Sequence, residues 1–188
     1  MNSFSRKSGA VFRALFVLLL PAATAGCATY HLDLSRYPAS QRVLYLHNFT
    51  NETFQADANV ELTEWVRREI HRRRNFTLAD DRAAAPLALY AKVRVYRKEG
   101  RLYDNAREPV RFDLTVIARV RVRRNTEELL DAHDVGASVE YSSREGFTES
   151  EFGARQRLLR ILAERIHNRL DKVFVDYTPA PPPPPTPQ

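Results

Sequence analysis

From Arg111 to Arg124 the chain reads RFDLTVIARVRVRR, a stretch in which apolar and polar residues alternate. A period of two places successive side chains on opposite faces of a β-strand, so one face of this strand is apolar and the other is rich in arginine. Residues 129–141 alternate again, after a polar turn at residues 125–128. The two segments therefore predict a long antiparallel hairpin.

The segments that precede this hairpin also have strand character. Residues 42–49 form a short apolar run that predicts a strand, and residues 76–79 read as a short extension or an edge strand. Residues 87–95 alternate like the hairpin strands. Their apolar face would hold Leu87, Leu89, Ala91, Val93 and Val95, and their polar face Tyr90, Lys92, Arg94 and Tyr96.

Two further segments have the apolar period of a helix that is packed on one side. The first covers residues 58–74, with Asp57 as the expected N-cap, and the second runs from a capping box of Thr148 and Glu151 to Val173. The order β-α-β-β-β-α predicts an α+β fold, a two-layer sandwich in which both helices pack on one face of a mixed four-stranded sheet. The first helix, as a right-handed crossover, would make its flanking strands parallel.

The N-terminal residues have the layout of a secretory signal peptide, with basic residues, an apolar run over residues 14–20 and then small residues. The apolar run is too short to span a bilayer. Thr24-Ala25-Gly26-Cys27 resembles a lipobox, although Thr24 stands where that motif prefers leucine. The motif implies cleavage between Gly26 and Cys27 and lipidation of Cys27, with ordinary secretion as the alternative.

The position and surroundings of Cys27 bear on where the protein resides. Cys27 is the single cysteine of the chain and so has no internal disulfide partner. Ala28 and Thr29 follow it, where an aspartate would favour the inner membrane, so the resemblance to the bacterial sorting signal implies the outer membrane, on its periplasmic face.

The chain thus divides into four parts. We expect a lipoprotein signal peptide over residues 1–26, a lipidated linker over residues 27–41, an α/β domain over residues 42–177 and a proline-rich, disordered tail over residues 178–188. The tail holds seven of the chain's eleven prolines, which favours an exposed polyproline II segment. It is either a solvated end or a docking segment.

Composition and motifs limit the classes of function. Without the signal peptide, 26 basic residues stand against 23 acidic ones, and this mild charge in an exported protein argues against nucleic acid as a partner. None of the five histidines pairs at metal-ligand spacing, and no nucleophile, phosphate-loop or dinucleotide motif occurs. We therefore expect a protein that is not an enzyme and that has no metal and no cofactor.

Local sequence resembles the lipopolysaccharide-assembly lipoprotein family, LptE. Residues 43–54 resemble the family's opening strand, which runs into a Phe-x-Asn-x-Thr turn at Phe49, and residues 76–81 resemble the segment after its first helix. The hairpin over residues 112–141 and the closing helix that ends near Phe174 also fit. The chain departs from the family at Tyr30, since members commonly have Gly-Tyr directly after the cysteine, and in its proline-rich tail.

The resemblance implies a function without covalent chemistry. Members of the family sit at the inner leaflet of the outer membrane and plug the lumen of a large β-barrel, LptD, with which they deliver lipopolysaccharide to the cell surface. The alternative is a periplasm-facing lipoprotein that acts as a cofactor of peptidoglycan synthesis or of a secretion pore. The tail favours that alternative, because a stiff spacer could reach into the cell wall.

The arginine-rich face of the sheet is the candidate binding surface. Guanidinium groups match phosphate geometry, and lipid A carries phosphates. We hypothesise that this face contacts an anionic lipid headgroup or the barrel wall; a solvated antiparallel face with scattered charges is the alternative. The residues that would form it are Lys92, Arg94, Arg119, Arg121 and Arg123.

Overall fold

The computed structural model describes residues 34–142 and 149–179. The predicted signal peptide, Gly26, Cys27, Thr148 and nearly all of the proline-rich tail lie outside these residues. The elements are β1 (Val43–Leu46), β2 (Thr50–Asn51), α1 (Ala58–Arg73), β3 (Thr77–Ala79), β4 (Leu87–Tyr103), β5 (Pro109–Arg124), β6 (Glu127–Ser142) and α2 (Glu151–Tyr177), with short 3-10 turns at Ala39–Arg42 and Arg82–Ala84.

The strands form one mixed sheet in the order β3-β1-β4-β5-β6, with β2 paired to β4. β1 is parallel to both β3 and β4, whereas β4, β5 and β6 are antiparallel. The parallel strands around α1 and the long hairpin are as predicted. The sheet has six strands and not four. β3 is the edge strand that residues 76–79 allowed, whereas β2 spans only two residues and is too short to show an alternation of its own.

The core lies between the sheet and the two helices. From β5, Leu114, Val116 and Ala118 are fully buried, and Leu158 and Leu162 of α2 are also fully buried. Burial of one such aliphatic side chain stabilises the fold by roughly 1.5–3 kcal/mol. α2 contacts β5 and β6, and α1 contacts α2 and β4, so the predicted two-layer α+β sandwich is confirmed.

The helix N-termini differ from the predicted caps. Asp57 occupies the N-cap position of α1, but its backbone is left-handed with φ 61 and its side chain makes no capping hydrogen bond. The N-cap of α2 is Ser150, whose hydroxyl accepts the N–H of Gly153 at 3.2 Å. Because α2 starts at Glu151, one residue after Ser150, its N-cap is Ser150 and not Thr148 as the sequence predicted.

A β-bulge at Arg94 changes the face that each later residue of β4 occupies. Val93 pairs with Ala118 but Val95 pairs with Ile117, so Arg94 is an extra residue in the strand. One inserted residue reverses the alternation. Tyr96, predicted on the polar face, consequently pairs with buried Val116 on the helix side, and Val95 turns to the open face; the prediction was wrong for both.

Three aromatic rings close the end of the domain at which the described chain begins and ends. The ring of Phe174, near the end of α2, lies edge-on to Tyr37 at 5.0 Å and to Phe76 at 5.5 Å. Arg124 donates a hydrogen bond to the carbonyl of Tyr177 at 2.9 Å. The first described residues are therefore packed directly on the last turns of α2.

A polar cluster is buried between the two helices near this end. Arg73 of α1 contacts Glu69 at 2.5 Å and Asp171 of α2 at 3.8 Å. Asn75 donates to Asp171 at 3.0 Å, and His167 Nε2 lies 3.4 Å from the same carboxylate. Burial raises the pKa of Asp171 to about 6, since desolvation outweighs the hydrogen bond from Asn75 and the charge of Arg73.

Candidate functional site

The face of the sheet opposite the helices carries a shallow cleft of about 420 Å³. Alternation along β4 and β5 builds it, because Tyr90 pairs with Arg121 and Lys92 with Arg119, all on the open face. Arg94 follows in the same alternation and lies on the same side, before the bulge takes effect. The cleft is lined by His47, Thr50, Glu52, Tyr90, Ala91, Lys92, Arg94, Arg119, Arg121 and Ala132.

The structure brings four of the five predicted residues together. Lys92, Arg94, Arg119 and Arg121 line the cleft. Arg123 follows on the same face of β5 but lies outside the cleft, toward the turn, where it donates to the carbonyl of Thr126 at 3.4 Å.

Each cation of the cleft faces a carboxylate. Glu52 accepts from Lys92 at 2.9 Å and lies 3.6 Å from Arg94. Arg119 holds Asp134 of β6 with two hydrogen bonds, at 2.7 and 3.0 Å. The hydrogen bond from Lys92 keeps the pKa of Glu52 below its usual value, and that from Arg119 does the same for Asp134. These carboxylates are therefore ionised and act as internal counter-ions.

Arg121 completes the row of ion pairs. It contacts Glu128 at 2.8 Å and Asp131 at 3.6 Å. All these pairs are well exposed, and an exposed ion pair is worth only about 0–1 kcal/mol. An incoming phosphate could therefore replace a carboxylate at little cost, whereas an uncharged ligand could not.

Aromatic rings continue the cleft toward β1. His47 lies 5.1 Å from the ring of Tyr90 and 6.3 Å from that of Tyr45. Cationic side chains beside half-buried aromatic rings suit a ligand that has both anionic groups and an apolar or saccharide surface. The predicted candidate residues did not include these rings, although alternation alone had placed Tyr90 on the polar face.

Glu52 was also missed, and only the turn explains its place. Asn51 accepts the N–H of Thr53 at 2.9 Å and donates to the carbonyl of Gln55 at 2.7 Å. This turn sends Glu52 over β4, where its own N–H bonds the carbonyl of Val93 at 2.9 Å. The Phe-x-Asn-x-Thr pattern was the available signal, since asparagine favours such turns.

Within residues 34–142 and 149–179, no group of three or more histidine, cysteine or acidic side chains could hold a metal ion. The helices of that part of the chain include none long and apolar enough to cross a membrane.

Solved structures share this fold at low identity. A hypothetical protein of Chlamydia trachomatis matches with a TM-score of 0.55 and 13% identity, over 72% of this chain and 99% of that one. Rare lipoprotein B of Shewanella oneidensis matches with a TM-score of 0.50 and 15% identity, over 71% of this chain and 97% of that one. An uncharacterized lipoprotein B of Nitrosomonas europaea matches with a TM-score of 0.50 and 10% identity, over 79% of this chain and 93% of that one.

These likenesses show the fold alone. No curated protein matches the chain. The family model described as LptE, lipopolysaccharide-assembly, matches residues 42–170, which is most of the chain and nearly all of the α/β domain. The chain therefore belongs to the LptE family of lipopolysaccharide-assembly proteins.

Proposed function

We propose that this protein is an outer-membrane lipoprotein, held by lipid on Cys27 at the periplasmic face, that acts as a non-catalytic partner and plug of an LptD-like β-barrel during lipopolysaccharide assembly. The observation that carries the proposal is the LptE match over residues 42–170. The cleavage and lipid sites at Gly26 and Cys27 rest on the lipobox. Several acyl chains on one cysteine would anchor the protein stably, at roughly 0.8 kcal/mol for each buried CH₂ group.

We propose further that the cleft on the open face of the sheet meets the phosphates of lipopolysaccharide. Four cations converge there, and three of them are arginines, whose rigid fork of donors suits phosphate oxygens. Lys92 and Arg119 are held at the cleft by their exposed pairs with Glu52 and Asp134. A ligand with two phosphates would take the place of two carboxylates.

The partner is tested by purifying the lipidated protein from detergent-solubilised outer membranes. We expect a large β-barrel in equimolar amount. A peptidoglycan synthase or a pore ring in its place would overturn the proposal and support the alternative class. Cys27→Ser is the control for the anchor, and it should lose both membrane association and labelling by radioactive palmitate.

The cleft is tested separately with purified lipopolysaccharide. The triple variant Arg94→Gln, Arg119→Gln and Arg121→Gln should bind it about tenfold more weakly, in keeping with the loss of charge-assisted hydrogen bonds. A matched control makes the same change of charge on the helical layer, at Arg67, Arg68 and Arg160, and should bind normally. Equal binding by the two triple variants would refute the assignment, and dephosphorylated lipopolysaccharide should not distinguish them.

A further inference from the structure

The two long free edges of the sheet are built differently. β6 is an outer strand of the sheet, and beyond Val93 β4 is paired with β5 alone among the described residues. A free edge presents backbone N–H and C=O groups that can pair with another extended chain. Both edges could therefore accept a strand, unless something covers them.

The β6 edge is covered by arginines of α2. Arg165 donates to the carbonyl of Gly136, and Arg157 donates to the carbonyl of Glu140 at 2.9 Å. Two outward-facing acceptors four residues apart are thereby occupied by side chains of the same chain. A second strand could not pair here without displacing both guanidinium groups.

The β4 edge is bare by comparison. Along Arg94–Tyr103, the one outward carbonyl that accepts a hydrogen bond from a described side chain is that of Gly100, from the Tyr103 hydroxyl at a long 3.5 Å. The carbonyl of Val93 points outward and accepts the N–H of Glu52. The bulge then shifts by one residue the positions whose backbone N–H and C=O groups point outward, so that the next ones are Tyr96 and Lys98. Their backbone N–H groups have no partner among residues 34–142 and 149–179.

A groove runs beside this bare edge. It has a volume of about 530 Å³ and lies between the turn at Glu52–Gln55, β4 from Arg94 to Lys98, and the start of α2 at Glu151. Phe54 lines the groove and is fully exposed. The groove thus offers backbone donors, an apolar wall and flanking cations together.

We propose that the free half of β4 takes up an extended segment of the barrel protein as an added strand. This proposal takes the source of the segment, the barrel protein, from the proposed function. The residues along the β4 edge determine which residue types the segment would carry. The segment would alternate, with an apolar residue against Tyr96 and Phe54 and an acidic residue against Arg97 on the open face. Among the described residues Arg97 has an ion pair only with Glu99, at 3.2 Å in an exposed contact, so a partner carboxylate could replace Glu99.

A closed barrel has no free strand of its own, so the segment would come from a loop or a terminus of the barrel protein. Strand addition draws its affinity from main-chain hydrogen bonds and its specificity from alternate side chains. A second copy of this chain is the competing occupant. Its β6 edge is already covered by Arg157 and Arg165, which disfavours edge-to-edge pairing through that strand.

Photo-crosslinking provides the first test, with a matched control across the sheet. Arg97 and Ser138 both pair with Thr115, so they lie in one row on the same face at the bare and the covered edge. With a benzophenone amino acid at Arg97, the lipidated protein should crosslink to the barrel at least tenfold more than with the probe at Ser138. Equal yields, or a crosslink to a second copy, would overturn the proposal.

The second test removes one outward N–H. Lys98→Pro deletes this donor without touching the pairing with β5, and proline is tolerated at a strand edge. Lys98→Ala is the control, because it loses the same contact with Glu151 but keeps the donor. Lys98→Pro should retain about tenfold less barrel in purification than Lys98→Ala.

The outcomes separate this proposal from the proposed function. Barrel recovered equally with both Lys98 variants, in a folded protein by circular dichroism, refutes strand addition and leaves the partner assignment intact. No barrel with the wild-type protein refutes the partner assignment itself. If Lys98→Pro fails to fold, the comparison of Arg97 with Ser138 decides.

Discussion

Replacing Asp171 with asparagine should change how the stability of the protein depends on pH. Asparagine keeps the size of the side chain and an acceptor oxygen for Asn75, but it has no proton to lose. Burial raises the pKa of Asp171 to about 6, against 3.8 for the unperturbed carboxyl. The folded state therefore holds this proton more tightly than the unfolded state does.

The sign and size of the effect follow from linkage. A raised pKa means that the stabilising contribution of the protonated carboxyl is fully present below about pH 4 and is lost as the pH rises through about 6. A shift of about 2 pKa units corresponds to roughly 3 kcal/mol of unfolding free energy. The pKa of Glu69 is lowered although burial acts to raise it, because Arg72 and Arg73 donate hydrogen bonds to its carboxylate, so Glu69 contributes with the opposite sign.

Urea denaturation of the mature protein and of Asp171→Asn, followed by circular dichroism between pH 4 and pH 7, measures the difference. The two proteins should be nearly equally stable at pH 4, and the variant should be the more stable by up to roughly 3 kcal/mol at pH 7. If plots of unfolding free energy against pH ran parallel for the two proteins over this range, Asp171 would not be desolvated in the folded state. The reasoning on the buried cluster would then be refuted.

Three other substitutions test the packing, the cap and the covered edge. Phe174→Ala removes a ring that is 1% exposed and in contact with two others, and should lower the unfolding free energy by about 3–5 kcal/mol, measured by urea denaturation. Ser150→Ala should cost about 1 kcal/mol in the same assay, whereas Ser150→Asp should not, since aspartate also caps. Arg157→Met with Arg165→Met should make the protein associate with rising concentration in analytical ultracentrifugation, while Arg67→Met with Arg68→Met should leave it unchanged; a monomeric edge variant would contradict the covering role.

The long elements could be predicted because their periodicity is strong. Residues 112–123 alternate with one exception, Ile117. The structure buries the even-numbered side chains from Leu114 to Val122 under the helices and places Arg119, Arg121 and Arg123 on the open face. The helix that begins at Ala58 was placed to within one residue at each end. In each case one physical rule, burial of one face, determines the pattern over more than ten residues.

The departures have a different origin. The bulge at Arg94 depends on the register between two strands, and no local preference of Arg94 reports it. The short strand β2 exists because β4 offers it a partner, and not because its own two residues favour extended structure.

The ion pairs of the cleft depend on register as well. Arg119 meets Asp134 only because β5 and β6 align those two residues. The sequence predicted where the cations lie, but not that each would have a carboxylate beside it.

The contact between Tyr37 and Phe174 has a mechanical consequence. The described chain enters the domain beside Tyr37 and leaves it after Tyr177, at the same end. Tension applied between the N-terminal linker and the C-terminal tail would therefore act on the contact between Tyr37 and Phe174 and on the Arg124 hydrogen bond. It would not act on the backbone hydrogen bonds between the strands.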